Sequence, residues 1–249
     1  MALITDLHIH SCLSPCGSLE LSPRRLLEIA ANRGVQVMAL TDHNSSLNCR
    51  AFAKLCPLFG MVPIFGMEAT TSEEIHVLCL FTGLEASLAF GEYAYSILTP
   101  FPNNPEKAGD QVYVDEDDNI EGEVEYFLLS PLELSIEEIG AKVAEFSGIV
   151  IPAHIDRQAF SMTSQLGVVT HGPWAALECV RLPPAMGGFP LDTLGYPLIT
   201  SSDAHYQEHV GRRPFQLDLG LEELQPGGPG TEADMAALRN ALGKRLGTC

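Results

Sequence analysis

The sequence has little positive charge. It contains 14 Lys and Arg residues against 32 Asp and Glu residues, so its formal net charge is −18 at pH 7. This balance excludes a broad basic face of the kind that holds duplex nucleic acid through its phosphates. We therefore expect no duplex nucleic acid as a partner of such a face.

Long apolar runs and CxxC pairs are also absent. No stretch approaches the roughly 20 apolar residues of a membrane-spanning helix, so we expect no membrane partner. The first residues, Met1 to Asp6, lack the basic start of a signal peptide, and we expect a cytoplasmic location. The seven cysteines are irregularly spaced, which favours reduced thiols over a disulfide framework or a zinc ribbon.

The length and the apolar content suit one domain. The chain has 249 residues, of which 46% are hydrophobic, and a single α/β barrel is commonly about this long. We predict one domain over residues 1–249. No pattern in the sequence predicts an oligomeric state.

Strand-like and helix-like segments alternate along the chain. The strand-like "ALITDLHIHS" precedes the helix-like "PRRLLEIAANRG", and "VQVMALTDHN" precedes "SSLNCRAFAKLCPLFG". Further strands are predicted at "MVPIFGMEATT", "EEIHVLCLF", "GIVIPAHIDR", "AALECVRL" and "YPLITSSDAH". Ser135, followed by Glu138, predicts a capping box for the helix "SIEEIGAKVAEFSG". The alternation predicts a parallel α/β architecture.

One segment is strongly acidic. Between Glu106 and Glu138 there are twelve Asp or Glu residues against one basic residue, Lys107. Within it, "QVYVDEDDNIEGEVEYFLL" alternates as a β-hairpin does, with "DEDDN" as the turn. We predict a solvated acidic hairpin that is inserted into the domain at about residues 102–130.

Most histidines fall near the ends of predicted strands, where α/β folds collect functional residues. A single histidine there is more often structural than a ligand, but six of the eight share this placement, together with two carboxylates. The predicted metal ligands are His8, His10, His43, Glu68, His76, His154, Asp203 and His205.

The ligand types indicate the chemistry. Imidazole and carboxylate suit Zn²⁺, Mn²⁺ or Fe²⁺. A tetrahedral ion takes about four ligands, so eight candidates predict two or three divalent ions. Clustered ions of this kind supply hydroxide and bind phosphoryl oxygens. Because no Ser-His-Asp or Cys-His pattern is visible, we expect a hydroxide that bridges two ions, and no protein nucleophile.

The ordered set "DLHIHS", "TDHN", "GMEATT", "IHVLCLF", "PAHIDR" and "SSDAH" resembles the polymerase and histidinol phosphatase (PHP) family. The resemblance runs from Ile4 to about His205. It implies a distorted, TIM-like (β/α)7 barrel and a hydrolase that cleaves a phosphomonoester or phosphodiester bond. A small phosphorylated molecule is the implied substrate.

The resemblance also implies a division of the ligands among three ions. It assigns the first ion to His8, His10, Glu68 and Asp203, the second to Glu68, His76 and His154, and the third to His43 and His205.

Three other residues are candidates for the site. Cys16 stands where many family members have a His or Asp ligand of the third ion, and it is either a thiolate ligand, which would favour Zn²⁺, or a bystander. Asp42 either orients a ligand histidine through its ring N–H or caps a strand end. Arg157 either binds the substrate phosphate or forms a surface ion pair with the acidic segment.

Three alternative functions stay open. The first is a nuclease that acts on short oligonucleotides or mononucleotides, since the resembled family includes nucleases. The second is an amidohydrolase, in which a carbamylated lysine often bridges two metals. None of the four lysines, Lys54, Lys107, Lys142 and Lys244, lies at a predicted strand end. The third is a metal-binding module without catalytic activity.

Overall fold

A computed structural model describes residues 2–218 and 232–243. Within them the chain forms a mixed α/β fold. The strands are β1 (Ala2–Asp6), β2 (Val37–Leu40), β3 (Val62–Thr70), β4 (His76–Phe81), β5 (Val112–Val114), β6 (Ile120–Glu123), β7 (Ile149–Pro152), β8 (Leu177–Glu178), β9 (Ala185–Met186), β10 (Phe189–Pro190), β11 (Leu198–Ile199) and β12 (Phe215–Asp218). The helices are α1 (Pro23–Asn32), α2 (Cys49–Leu55), α3 (Leu84–Ser96), α4 (Pro105–Ala108), α5 (Ile136–Glu145), α6 (Met162–Leu166) and α7 (Glu232–Gly243).

Local sequence signals set the helix starts. Ser22 caps α1 by accepting the backbone N–H of Arg25 at 3.2 Å. The predicted capping box of α5 is confirmed: the backbone N–H of Glu138 reaches Oγ of Ser135 at 3.3 Å, and the backbone N–H of Ser135 reaches Oε2 of Glu138 at 2.9 Å. Both reciprocal bonds satisfy amides that a helix N-terminus leaves unpaired.

The main sheet has six strands in the order β12-β1-β2-β3-β4-β7. Strands β1, β2 and β3 are parallel, but β4 is antiparallel to both β3 and β7, and β12 is antiparallel to β1. The sheet is therefore mixed, whereas the alternation of strands and helices predicts a parallel architecture. Residues 71–75 alone join β3 to β4, and a parallel crossover needs about a dozen residues or more.

Backbone bonds curl the strands so that β11 approaches β1. Strands β8 and β11 form a separate parallel pair. Just before β8, Ala175 N donates to Val150 O in β7 at 2.9 Å, and beyond β11, Asp203 N donates to His8 O at 2.8 Å. The coarse prediction, a mixed α/β fold with a curled sheet consistent with a TIM-like barrel, is confirmed. A ring of seven βα units stays a prediction.

Successive side chains of a strand point to opposite faces of the sheet, and one face of the curled sheet is apolar. Polar residues occupy one end of that face. Val62 and Ile64 of β3 and Leu78 of β4 belong to one buried cluster, to which α7 contributes Leu238. Glu68 has the same parity as Val62 along β3, so its side chain projects from that face near the strand's carboxyl end. The apolar part of the face holds the strands together, and its end is left for the charged groups.

The acidic segment forms the predicted hairpin. Strands β5 and β6 pair antiparallel, and Asp115 closes the turn by accepting the backbone N–H of Asp117 and of Asn119, each at 2.9 Å. Val114 N donates to Oδ1 of Asn48 at 2.9 Å, which docks the hairpin on the body of the fold. That the hairpin is an insertion stays a prediction, as does the single domain. Among the described residues no helix is long and apolar enough to cross a membrane.

Candidate metal centre

All eight predicted ligands meet at one end of the curled sheet. His8 and His10 follow β1, His43 follows β2, Glu68 lies in β3, His76 begins β4, His154 follows β7, and Asp203 and His205 follow β11. Six are buried, and Asp203 and His205 are partly buried. Donor atoms of seven of them form three overlapping groups, in each of which all the atoms lie within 4.8 Å of one another: His8, His10, Glu68 and Asp203; His43, Glu68 and His76; and His10, His43 and His205. His154 belongs to none of the three groups, and its Nε2 atom lies 3.0 Å from Oε1 of Glu68.

The first group surrounds one point. The Nε2 atoms of His8 and His10 lie 3.1 Å apart. Oε2 of Glu68 lies 3.3 Å from each of these nitrogens, and Oδ1 of Asp203 lies 3.6 Å from each. Two nitrogens and two carboxylate oxygens thus converge, which is the donor set that Zn²⁺, Mn²⁺ and Fe²⁺ accept.

The hydrogen bonds behind the two rings determine which nitrogens carry protons. Nδ1 of His8 lies 2.9 Å and 3.1 Å from the two oxygens of Glu178, and a carboxylate can only accept, so Nδ1 donates. Nδ1 of His10 lies 3.0 Å from Oγ of Ser14, whose hydroxyl donates to Oδ1 of Asp42 at 2.7 Å. In the neutral rings both Nε2 lone pairs therefore point into the first group. A divalent ion fits between them, because it replaces this repulsion with coordination.

Orphaned buried atoms support the same fit. Oδ1 of Asp203, Nδ1 of His43 and Nδ1 of His154 are buried and have no hydrogen-bond partner among the described residues. Oδ1 of Asp203 belongs to the first group, and Nδ1 of His43 faces Oε2 of Glu68 at 3.2 Å. Buried polar atoms are rarely left unpaired, so these two positions are suited to a metal ion.

Glu68 lies between the groups. Its Oε1 atom is 2.9 Å from Nδ1 of His76 and 3.0 Å from Nε2 of His154. Its Oε2 atom instead faces His8, His10 and His43 at 3.2 to 3.3 Å. Each oxygen thus serves a different set of imidazoles, which is the geometry of a carboxylate that bridges two ions.

The charges of the centre favour metal binding. Burial alone would raise the pKa of Glu68, but the surrounding histidines, His76 first, hold it well below its usual range. Burial lowers the pKa of His205 to about 3 and that of His43 well below its usual range, so both rings are neutral at pH 7. Burial would lower the pKa of His8, but the neighbouring carboxylates, led by Glu178, raise that pKa well above its usual range. A cation that binds to this ring therefore displaces a proton.

Cys16 is not brought into any of the three groups. It is half-buried, and burial raises the pKa of its thiol to about 12, with a further contribution from the charge of Glu68. A thiolate is the form that ligates metals. As placed, the side chain lies beside the centre as a neutral thiol.

Asp42 acts through Ser14 and not on a ring. The two predicted roles of Asp42 are the orientation of a ligand histidine through its ring N–H and the capping of a strand end. Its carboxylate instead accepts from Ser11 N at 2.7 Å, Ser11 Oγ at 2.6 Å and Ser14 Oγ at 2.7 Å. Oγ of Ser14 in turn accepts from Nδ1 of His10 at 3.0 Å, so Asp42 orients the His10 ring through Ser14.

Glu178 was missed by the sequence reasoning. It lies in β8 and is buried, and besides His8 it accepts the backbone N–H of His154 at 3.0 Å. The available signal was an acidic residue inside the otherwise apolar predicted strand "AALECVRL". A buried carboxylate needs hydrogen-bond partners, and those of Glu178 are the ring of His8 and the backbone N–H of His154.

Two residues of the centre have left-handed backbones. His154 has φ +31° and Asp203 has φ +47°, which costs a residue other than glycine on the order of 1 kcal/mol. Hydrogen bonds from their amides, His154 N to Glu178 and Asp203 N to His8 O, hold them there. Such strain collects at functional sites.

Arg157 lies at the rim of the centre. Its Nη1 atom donates to Oδ2 of Asp203 at 2.7 Å, and its side chain is 43% exposed. Arg157 therefore forms an ion pair with Asp203. The predicted alternative to substrate binding was an ion pair with the acidic segment.

The lysines lie away from the centre. Lys54 pairs with Glu116 and Lys142 with Glu145, each at 2.7 Å, and Lys107 is exposed in α4. Lys244 lies outside the described residues.

Residues 6–144 match the model of a protein family that is described as PHP domain. A protein of Methanocaldococcus jannaschii is 31% identical to this chain over 135 residues, which are 47% of this chain and 78% of that protein.

Solved structures share the fold. The lesion-specific endonuclease Q of Pyrococcus furiosus superimposes with a TM-score of 0.60 at 17% identity and covers 96% of this chain. This chain spans only 56% of the length of that endonuclease. A putative metal-dependent phosphoesterase of Bifidobacterium adolescentis superimposes with a TM-score of 0.53 at 17% identity, over 96% of this chain and 95% of its own. At these identities the likeness shows the fold alone.

Proposed function

The chain belongs to the PHP domain family, and on that premise we propose that it is a metal-dependent phosphoesterase that hydrolyses a phosphomonoester or a phosphodiester. One observation carries the proposal. The two carboxylate oxygens of Glu68 face two different sets of imidazoles, Oε1 toward His76 and His154 and Oε2 toward His8, His10 and His43. A shared carboxylate of this kind suits adjacent divalent ions, as phosphoryl hydrolysis uses them.

We propose that the eight residues hold two or three ions of Zn, Mn or Fe. His8, His10, Glu68 and Asp203 would hold one, Glu68, His76 and His154 a second, and His43 and His205 would contribute to a third. When bound, such ions supply a hydroxide at neutral pH and neutralise the charge that develops on phosphoryl oxygens.

The chain's own groups prepare the centre for this reaction. Glu178 and Ser14 orient the rings of His8 and His10 from behind. Arg157, which donates to Asp203 at the rim, would also donate to a substrate phosphate. In the hydrolysis an oxygen from water bonds to phosphorus, the bond from phosphorus to the ester oxygen breaks, and the alcohol leaves with a proton. No protein side chain is proposed as the nucleophile, and the ring orientation by Glu178 and Ser14 keeps the donor atoms in place while the phosphorus is attacked.

A nuclease is the second candidate, and it is favoured by the fold shared with endonuclease Q. The net charge of −18 limits this candidate to short oligonucleotides or mononucleotides, because binding to long duplexes depends on Lys and Arg side chains that neutralise the phosphates. An amidohydrolase is less favoured, since Glu68 occupies the bridging place and no described lysine lies in the centre. A metal-binding module without activity would keep the ions but hydrolyse nothing.

The test combines metal content with activity. Protein purified without chelator is analysed for Zn, Mn and Fe, then assayed with each metal on p-nitrophenyl phosphate and bis(p-nitrophenyl) phosphate. We expect two to three equivalents and hydrolysis of at least one ester, and we expect Glu68→Gln to lose both metal and activity. Full metal content without hydrolysis would make the protein a binding module, and less than one equivalent with no uptake would end the metal hypothesis.

A further inference from the structure

One stretch of the chain is almost without charge. Residues 158–200 contain only three Asp, Glu, Lys or Arg residues, which are Glu178, Arg181 and Asp192, whereas such residues make up 18% of the whole chain. Glu178 is buried behind His8, so one cation and one anion remain for the surface of this stretch. Since the chain has a net charge of −18, this is a region where a second acidic molecule can approach without strong local repulsion.

The same stretch exposes large apolar side chains. In the part of the chain that the structure describes, twelve large hydrophobic side chains are exposed, and six of them lie between residues 160 and 194: Phe160, Leu166, Val168, Leu182, Phe189 and Leu194. Phe189 is 77% exposed and Val168 is 59% exposed. Single exposed apolar side chains are common on any protein, but an apolar patch marks a surface of interaction.

Three of these side chains belong to one groove. Val168, Phe189 and Leu194 line a groove of about 770 Å³. Val169 lines it too, and this side chain is part of a buried apolar cluster of the fold. Asp192 is the one formally charged residue of the lining among the described residues. The groove is therefore continuous with the core, and an apolar side chain that enters it becomes buried as a core residue is.

A hairpin carries Phe189 outward at the edge of this groove. Strands β9 and β10 pair antiparallel, with Phe189 opposite Met186. Gly187 and Gly188 form the turn with φ of +57° and +86°, a conformation that glycine adopts without steric cost. Beyond the neighbouring residues, no atom lies within 4 Å of the point where a Cβ of either glycine would stand. The turn thus projects from the fold, and an aromatic side chain stands next to an apolar groove.

We infer that two copies of the chain associate through this surface about a two-fold axis, with Phe189 of each copy in the groove of the other. An interface of this symmetry needs one patch that is complementary to itself, and the hairpin and the groove supply the two halves. The inference does not depend on the proposed hydrolysis.

The charges favour a second copy as the occupant. Two chains of net charge −18 repel each other wherever their acidic surfaces meet, so contact through residues 158–200 costs least. A membrane is a poorer occupant, because anionic lipids attract clusters of Lys and Arg and Arg181 is the one such residue of this stretch.

Sedimentation velocity of the full chain measures the association. We expect the wild type to be a dimer at roughly 100 µM, since interfaces of standard size have dissociation constants in the micromolar range or below. Phe189→Asp should raise the dissociation constant roughly 30-fold or more, as the loss of a central aromatic contact does, and Val168→Asp should weaken the dimer from the groove side. Both side chains are exposed, so both variants should keep the circular dichroism spectrum of the wild type.

The matched control is Leu58→Asp, at an apolar side chain that is 73% exposed just after α2. It adds the same charge elsewhere and should leave the dimer unchanged. A wild type that is monomeric at this concentration would overturn the inference, and so would a dimer that both surface variants leave intact. Equal weakening by Leu58→Asp would assign the effect to total charge. A monomer that binds phosphatidylcholine vesicles through Phe189 would assign the surface to a membrane, and the inference would again be wrong.

Discussion

Nδ1 of His8 lies 2.9 Å from Oε2 of Glu178, and both side chains are buried. The contact joins residues that are 170 positions apart in the chain. It fixes the ring of His8 so that Nε2 points into the centre. A carboxylate behind an imidazole both orients the ring and raises its basicity.

The first prediction concerns this contact. Glu178→Gln removes the negative charge behind His8 while it keeps the size of the side chain. We expect metal affinity to fall by about 10- to 100-fold, measured by titration against a competing chelator. Glu137→Gln, at an exposed position of α5, is the control and should bind as the wild type does. Unchanged affinity in Glu178→Gln would show that the contact only stabilises the fold.

The second prediction concerns Ser14, which links Asp42 to the ring of His10. Ser14→Ala removes one donor from the buried carboxylate and one acceptor from the ring. Because unsatisfied buried polar groups are costly, the free energy of unfolding should fall by about 1–3 kcal/mol. Urea unfolding in the presence of chelator measures this loss without a contribution from bound metal. Ser72→Ala, at an exposed serine, should change stability by no more than about 0.5 kcal/mol.

The third prediction is that chelation lowers the melting temperature. An ion that binds only the folded state adds about 4 kcal/mol when its free concentration is 1,000 times Kd. For a chain of this size that corresponds to a Tm shift of about 10 °C. Scanning calorimetry with and without chelator measures the shift. Glu68→Gln should respond much less, since it lacks the shared carboxylate, and an equal response in this variant would assign the effect to a metal elsewhere.

The fourth prediction concerns Cys16. Its sulfur lies outside the three groups of donor atoms, so Cys16→Ala should retain the metal equivalents of the wild type. Elemental analysis of both proteins provides the measurement. Cys12→Ala, which removes a buried neighbouring thiol, is the control. Loss of one equivalent in Cys16→Ala alone would instead make the thiolate a ligand of the third ion.

The fifth prediction separates two roles of Arg157. If the guanidinium binds the substrate phosphate, Arg157→Gln should raise KM about tenfold, as the loss of a charge-assisted hydrogen bond does. Metal content should stay the same. A fall in metal content would show that Arg157 acts by orienting Asp203, to which it donates at 2.7 Å. Arg25→Gln, at an arginine whose side chain is 47% exposed on α1, serves as the control.

Much of the fold and of the candidate centre could be predicted from the chain alone. The capping box at Ser135 and the hairpin around Asp115 depend on residues that are close in sequence, and both are present. The eight predicted ligands were found because strand-like runs end in His, Asp or Glu, and the ends of neighbouring strands meet in space. The structure places seven of them in the three groups of donor atoms and His154 beside Glu68, and their role as metal ligands stays a prediction.

Other features were beyond the sequence. The antiparallel direction of β4 did not follow from the alternation of strands and helices, because an apolar run has the same pattern in a parallel and in an antiparallel pair. The length of the segment between β3 and β4 was the one local clue. The two roles predicted for Asp42 were a contact with a ring and a cap at a strand end, and spacing could not show that it reaches His10 through Ser14, since a hydrogen-bond relay depends on angles that spacing does not specify.

The sequence by itself determined the kinds of donor groups, their order along the chain and their placement at strand ends, because these follow from residue type and from the period of the strands. Only the tertiary structure decided which groups touch. The sheet had to curl before Glu178 could stand behind His8, or Asp203 beside it, and Phe160 reached His76 through a loop conformation that its own residue type disfavours. Contacts of this range depend on the packing of the whole sheet, and no local pattern encodes them.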